Sequence, residues 1–197
     1  MERLHFGCFN RPVEGWTNTD VTPHLFIARV PGLPWLLRRL GRMGDERYAE
    51  HREGVFGRVR YLNVVRRWPY ADAAFEAIFS SHVLEHLPLH GAKRCLVECH
   101  RCLAPGGVLR IAVPDLDAAV AEYQPQDALA WATGLFEADQ PTEKNMHHFM
   151  YNFDSLRGLL ASVGFSDVTR RSYRQGACPD LDRLDNRPAS LFVEAVR

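Results

Sequence analysis

Residues 68–115 read WPYADAAFEAIFSSHVLEHLPLHGAKRCLVECHRCLAPGGVLRIAVPD, and this stretch decides the fold. Residues 77–80 are a short apolar run typical of a buried strand. From residue 91 to residue 103 the apolar side chains recur at helical spacing, which predicts a helix. The PGG sequence at 105–107 ends that helix and turns the chain. The nearly continuous apolar run at 108–113 is typical of a central parallel strand, so the stretch predicts a strand–helix–strand unit.

The flanking sequence continues this alternation of strands and helices. Further strands are predicted at residues 4–6, 16–21, 59–65, 168–172 and 190–196. A helix is predicted before the last two strands, with Asp154 as its N-cap and Gly164 at its C-terminal end. The pattern predicts an α/β fold with crossover helices, and we expect one domain over residues 1–197 with a basic helical insert at about 31–57.

The composition excludes several functional classes. The 197 residues include 24 Lys plus Arg and 24 Asp plus Glu, which gives a formal net charge of zero. This balance argues against broad nucleic-acid binding, so no nucleic-acid partner is expected. No apolar run is long enough to cross a bilayer, and the first residues lack a secretory pattern. The five scattered cysteines favour reduced thiols, and we predict a cytoplasmic protein.

A glycine and an aspartate flank the first predicted strand connection. Gly7 directly follows the first strand, where a residue without a side chain lets a ligand approach the backbone. Asp20 lies at the end of the second strand, where a carboxylate can accept both hydroxyls of a ribose. The two residues are 13 positions apart, which leaves room for one helical turn at most between the strands.

Several short motifs in the chain occur in a fixed order. They are WPY at 68–70 with Asp72, Phe75 and Glu76, VLEHL at 83–87, RCLAPGG at 101–107, and Pro114-Asp115. The N-terminal GCFNRPVEGWTNTD at 7–20 precedes them, and HHFMY at 147–151 and Gly164-Phe165 follow. Together they resemble the class I methyltransferases, especially the small bacterial members of the methyltransferase-11 type. The resemblance covers nearly the whole chain except residues 31–57.

The resemblance implies a fold, a cofactor and a set of binding residues. The implied fold is Rossmann-like, with a mainly parallel seven-stranded sheet and an antiparallel C-terminal hairpin. The implied cofactor is S-adenosyl-L-methionine, with S-adenosyl-L-homocysteine as product, bound across the carboxyl ends of the first four strands. The implied acceptor is a small molecule or a sugar, methylated on oxygen. The residues implied to bind the cofactor are Phe6, Gly7, Cys8, Asn10, Asp20, Asn63, Val64, Ser81 and His82.

Individual roles follow from position in the family pattern. Gly7, Cys8 and Asn10 would lie against the methionine portion, and Asp20 would hold the ribose. Asn63 stands where many members have an aspartate that accepts the adenine amino group, and an asparagine oxygen can accept the same bond.

One departure from the family pattern defines an alternative function. Phe9 replaces the second glycine of the first loop, so its ring either turns outward or partly fills the site. A filled site would make the chain a degenerate methyltransferase fold that serves as a binding or assembly module without catalysis.

Histidines are the candidate catalytic residues. If the acceptor is a hydroxyl, a general base assists, and histidine suits that role near neutral pH. The candidates from position are His82, just after the fourth strand, and His147, in the region expected to form the substrate wall. His86 is interpreted as a helix-start residue bonded to the backbone, and His148 is a further candidate.

Three cysteines invite a different interpretation. Cys95, Cys99 and Cys102 have a spacing that also occurs in radical S-adenosylmethionine enzymes with an iron–sulfur cluster. Here they lie on the apolar stripe of a helix, where the first and last are about 10 Å apart along the axis. We therefore predict that they are packing residues and expect no metal. The arginines of the insert are either a solvated helix face or a recognition surface for an acidic acceptor.

Overall fold

The computed structural model describes residues 2–136 and 146–197. Its strands are β1 Glu2–Phe6, β2 Thr17–Asp20, β3 Arg60–Tyr61, β4 Phe75–Ser81, β5 Leu103–Pro114, β6 Ser166–Arg171 and β7 Ser190–Val196. Its helices are α1 His24–Ile27, α2 Leu33–Arg39, α3 Asp45–Arg52, α4 Leu89–Cys102, α5 Leu116–Ala121, α6 Ala128–Phe136, α7 Phe153–Ala161 and α8 Leu181–Leu184. Within these described residues no helix is both long and apolar enough to span a membrane.

The strands form one seven-stranded sheet in the order β3-β2-β1-β4-β5-β7-β6. The pairs from β3 through β5 are parallel, whereas β7 runs antiparallel to both of its neighbours. This confirms the predicted mainly parallel sheet with an antiparallel C-terminal hairpin. The order reverses at β1, so the carboxyl ends of β1 and β4 border the crevice in which open α/β sheets bind ligands.

Helix α4 packs its apolar stripe on the sheet. Cys95, Leu96, Cys99 and Cys102 are each fully buried in the main core cluster with residues of β4 and β5. Burial raises the pKa of Cys99 well above its ordinary value and that of Cys102 to about 11, so both thiols stay protonated. The three cysteines of the spacing motif thus lie on one face of one helix, as the sequence predicts.

The predicted strand at 59–65 is shorter in the structure. Pairing with β2 is limited to Arg60–Tyr61, and the Leu62 amide makes the last bond, to the Asp20 carbonyl at 3.1 Å. The chain then turns, because the Asn63 side-chain oxygen accepts a bond from the Val65 amide at 3.2 Å. Strand β2 ends at Asp20 and offers no further partner.

The predicted N-cap of helix α7 is wrong by two positions. Asn152, rather than Asp154, caps the helix, because its side chain accepts from the Ser155 amide while Ser155 accepts from the Asn152 amide. Asp154 lies in the first turn and pairs with Arg157 instead. Gly164 follows the helix with φ +105°, which fits the predicted stop.

The predicted turn at 105–107 is also different. Helix α4 passes directly into β5, in which Leu103 pairs with Phe75 and Val108 with Ala77. The register shift between these pairs places the extra residues of β5 in a bulge, and Gly106 adopts φ +76° there.

Candidate active site

The loop after β1 is fixed by glycine. The Gly7 and Cys8 amides both donate to the Thr19 carbonyl, at 2.8 and 3.2 Å, which holds the loop beside the end of β2. Gly7 has φ +71°, and a Cβ at this position would lie 2.1 Å from Cγ2 of Val83. The first loop and the segment after β4 are therefore in direct contact, and only glycine permits it. No helix separates β1 from β2, as the short spacing predicts.

Asp20 organises the same loop with its carboxylate. One oxygen accepts from the Phe9 amide at 2.9 Å and the other from the Thr22 amide at 2.7 Å. The side chain is partly exposed at the end of β2. A carboxylate has about four lone-pair sites, so Asp20 retains acceptor capacity for a ligand.

The side chain of Phe9 contacts the insert. Its backbone has φ +46°, and its ring lies 4.5 Å beneath the guanidinium carbon of Arg47. The same ring lies 6.4 Å from that of His24 and 6.3 Å from that of Phe56. Phe9, His24, Arg47, His51 and Phe56 form what we call the loop–insert cluster.

Two histidines complete the loop–insert cluster. His24 Nδ1 lies 2.9 Å from His51 Nε2, and the His24 ring stacks on Phe56 at 4.9 Å. Desolvation, followed by nearby positive charge, lowers the pKa of both histidines, so the pair is neutral at pH 7.

The implied cofactor residues differ in what they offer a ligand. Phe6 is fully buried, so only its backbone can contribute, and burial raises the pKa of the Cys8 thiol. Asn10 turns to the insert, where its amide donates to Glu50 at 2.6 Å. Asn63 and Val64 lie in the turn after β3 that the bond from the Val65 amide to Asn63 closes. Ser81 is the last residue of β4.

His82 lies directly after β4 with an unusual backbone. It has φ +54°, and its amide donates to the Ala112 carbonyl at 2.8 Å. Its Nε2 lies 2.8 Å from the Ser190 hydroxyl, and its Nδ1 lies 3.1 Å from a carboxylate oxygen of Glu85. Arg187 also approaches Nδ1, at 3.2 Å. A histidine between a carboxylate and a hydroxyl has the surroundings of a general base.

Comparison with known proteins identifies the fold. A family model described as a methyltransferase domain matches residues 46–111, about a third of the chain. A methyltransferase of Thermotoga maritima, titled a possible histamine N-methyltransferase, superposes with TM-score 0.54 at 13% identity over 99% of this chain and 81% of its own. A methyltransferase of Archaeoglobus fulgidus does so with TM-score 0.53 at 15% identity over 100% and 86%. The chain has the fold of the S-adenosylmethionine-dependent methyltransferases, and its residues 46–111 match a methyltransferase domain family.

The fold likeness extends to a protein that is not titled a methyltransferase. A possible exported protein of Bordetella parapertussis superposes with TM-score 0.53 at 12% identity, and this chain spans 61% of its length. No curated protein sequence matches the chain. At these identities the structural likeness establishes the fold alone, and the family model adds a match to a methyltransferase domain over residues 46–111.

A cavity of about 310 Å³ lies at the carboxyl end of β5. Its lining includes Asp115, Glu122, Trp131, Leu135 and His147. This places His147, predicted from its position after the motifs, on the wall of a cavity. His148 is exposed and does not line it.

Three functional candidates near His82 are not predicted as site residues by the sequence. Glu85 is fully buried within VLEHL. Ser190 and Arg187 reach His82 from the start of β7 and the segment before it, more than 100 positions away. The VLEHL motif could have pointed to Glu85. Ser190 is placed beside His82 by the pairing of β7 with β5, which no local sequence pattern predicts.

Proposed function

We propose that this chain transfers a methyl group from S-adenosylmethionine to an oxygen atom of a small-molecule or sugar acceptor. One observation carries the proposal. Gly7, Asp20, Asn63 and His82 follow four strands that are neighbours in the sheet, in the order β3-β2-β1-β4. All four strands are parallel, so these residues meet along one edge, at the reversal of strand order.

The residues present fit the cofactor. The remaining lone pairs of Asp20 can accept the ribose hydroxyls, and the Asn63 side chain can bond the adenine edge. The ring of Phe9 contacts Arg47 in the loop–insert cluster. The sulfonium cofactor supplies an activated methyl group.

The chain's own residues orient the acceptor and accept a proton. His82 would accept the hydroxyl proton of the acceptor, and the bound cofactor would supply the methyl group to the acceptor oxygen, with S-adenosylhomocysteine as the product. Glu85, 3.1 Å from Nδ1, stabilises the imidazolium that results. The five free thiols are all buried, which supports a reducing compartment such as the cytoplasm for this reaction.

Calorimetry with S-adenosylhomocysteine tests the cofactor assignment. We expect Asp20→Ala to weaken binding by about 10- to 100-fold, since a charge-assisted hydrogen bond is lost. Asp127→Ala, an aspartate in a 3₁₀ turn beyond β5, is the matched control and should bind as the wild type does. Absence of binding to the wild-type chain would refute the assignment.

Acceptor methylation tests the catalytic role of His82. We expect His82→Ala to reduce turnover by about 10²- to 10⁴-fold while S-adenosylhomocysteine still binds. An unchanged rate would remove His82 as the base.

Phe9 supports a second candidate function, a binding module without catalysis. Phe9 stands where the family pattern has a second glycine, and the loop–insert cluster joins the loop after β1 to the insert. Cofactor binding without any methylated product across hydroxyl, amine and carboxyl acceptors would favour this function. Restoration of methylation by Phe9→Gly would assign the loss to this ring.

A further inference from the structure

A buried carboxylate without a hydrogen bond lies close to His147, which lines the cavity at the end of β5. Glu85 is fully buried, and neither of its side-chain oxygens accepts a hydrogen bond. Among the ion-pair contacts of Glu85, the nearest basic atom is Nδ1 of His82, at 3.1 Å. An uncompensated buried carboxylate is costly, and such groups in proteins are paired or coordinate a metal ion.

Two histidines lie around this carboxylate. Ligand atoms of Glu85, His86 and His147 are all within 4.8 Å of one another. The rings of His86 and His147 are 4.9 Å apart, and His86 Nε2 lies 4.0 Å from Glu85. A shift of roughly 1–2 Å in these side chains would bring the three donors to metal-bonding distance.

The backbone holds the two chain segments together. The Glu85 carbonyl accepts from the amides of His148 and Phe149, at 2.7 and 3.3 Å. These bonds fix His147 opposite the turn that carries Glu85 and His86, although the segments are about sixty positions apart in the sequence.

The histidine tautomers are those of metal ligands. His147 Nδ1 lies 2.7 Å from the Leu135 carbonyl, and His86 Nδ1 lies 3.3 Å from the Met146 carbonyl. Donation to a carbonyl places the ring proton on Nδ1 and the lone pair on Nε2. Metal-bound histidines are oriented in this way by their outer partners.

We propose that Glu85, His86 and His147 bind a divalent first-row transition metal ion. Two imidazoles with one carboxylate suit zinc, cobalt, iron or nickel better than magnesium or calcium, which prefer oxygen ligands. The proposal departs from the metal-free site that the sequence analysis expects. His147 also lines the cavity at the end of β5, which on the proposed function would hold the acceptor. On the proposed function, the metal there binds the acceptor oxygen that receives the methyl group.

Cobalt(II) titration of untagged, chelator-stripped protein tests the site, followed by the visible absorption of the metal. We expect one saturating equivalent, displaced by Zn²⁺, and a rise in melting temperature on binding. Glu85→Gln and His147→Ala should each weaken Co²⁺ binding at least tenfold. His148→Ala, the exposed neighbouring histidine, is the matched control and should bind as the wild type does.

The metal-free stability of Glu85→Gln and the Co²⁺ binding of two histidine variants provide further tests of the site. Glu85→Gln removes a buried charge without a change of shape, so its metal-free melting temperature should equal or exceed that of the wild type. A large fall would indicate a structural role for the carboxylate and contradict the proposal. Unchanged Co²⁺ binding in His147→Ala, or loss of binding in His24→Ala, would place the metal elsewhere and overturn it.

Different experimental results would refute the metal site and the proposed function. Binding of Co²⁺ without methyl transfer to any acceptor would leave the site standing and refute the function. Methyl transfer that survives chelation at the full rate, with no Co²⁺ binding, would refute the site alone.

Discussion

At position 7, backbone conformation and packing both require glycine. The φ of +71° is unfavourable for a residue with a side chain, and the Cβ would overlap Val83 at 2.1 Å. Because the overlap is with Val83, a substitution would separate the loop after β1 from the segment after β4. The loop sequence alone reveals the need for flexibility at Gly7, whereas the contact with Val83 appears only in three dimensions.

We expect Gly7→Ala to lower the free energy of unfolding by about 2–4 kcal/mol and to weaken S-adenosylhomocysteine binding at least tenfold. Gly15→Ala is the matched control, since Gly15 has φ +84° but a Cβ there would have no atom within 4 Å. It should cost only about 1–2 kcal/mol and leave binding unchanged. Urea unfolding and calorimetry measure both quantities, and equal losses in the two variants would contradict the packing argument.

His5 in β1 makes the stability depend on pH. It is 5% exposed, and desolvation lowers its pKa to about 4, below the ordinary value of 6.5. Between these values the unfolded chain binds a proton that the folded chain does not, so stability falls as the pH drops from 6.5 towards 4. His24 and His51 act in the same direction, because their pKa values are also lowered.

We expect His5→Gln to flatten this dependence. Between pH 7 and pH 5 the wild type should lose roughly 1–2 kcal/mol more than the variant in the free energy of unfolding. Urea unfolding at both pH values provides the measurement. Parallel pH profiles for the two proteins would show that His5 is protonated in the folded state.

At the level of elements, the N-cap of α7 is a different residue in the structure from the one that the sequence predicts. Both Asn152 and Asp154 are residue types that cap helices, and the local pattern favours Asp154. The structure selects Asn152, whose side chain and backbone form a reciprocal pair with Ser155. Asn152 follows Tyr151, which bridges to Asp115, so a tertiary contact sets the start of the helix.

We expect Asn152→Ala to cost about 1 kcal/mol in the free energy of unfolding. Asp154→Ala should cost about 0.5 kcal/mol or less, since its pair with Arg157 is exposed. Chemical denaturation of the two variants gives the comparison, and a larger loss for Asp154→Ala would restore the sequence-based assignment.

Elements with a strong local pattern can be predicted from the sequence, whereas elements set by pairing cannot. The apolar stripe of α4 and the apolar runs of β4 and β5 are local features, and their positions agree with the structure. The length of β3 depends on the four-residue strand β2 beside it, which no local pattern reports. For the same reason Asp20 is recognisable as a candidate site residue from its place after a strand, while Ser190 is not.

At the scale of the whole molecule, a buried charge cluster joins the antiparallel end of the sheet to the parallel part. Arg110 of β5 is fully buried and pairs with Asp185 and with Glu194 of β7. It also donates to the carbonyls of Ser172 and Gln175, at 3.0 and 2.8 Å. One guanidinium thus fixes the long excursion between β6 and β7, the segment that delivers Arg187 and Ser190 to His82.

We expect Arg110→Met to lower the free energy of unfolding by about 3–5 kcal/mol, because it leaves the buried Asp185 without a cation and Glu194 with only the more exposed Arg171. The triple variant Arg110→Met, Asp185→Asn, Glu194→Gln should recover a large part of that loss, since it removes the uncompensated charges with little change in volume. Arg171→Ala, which removes a more exposed partner of Glu194, should cost about 1 kcal/mol or less. Urea unfolding at pH 7 compares the three proteins. A triple variant no more stable than Arg110→Met would show that Arg110 acts through its bonds to the backbone carbonyls, and that the carboxylates tolerate its absence.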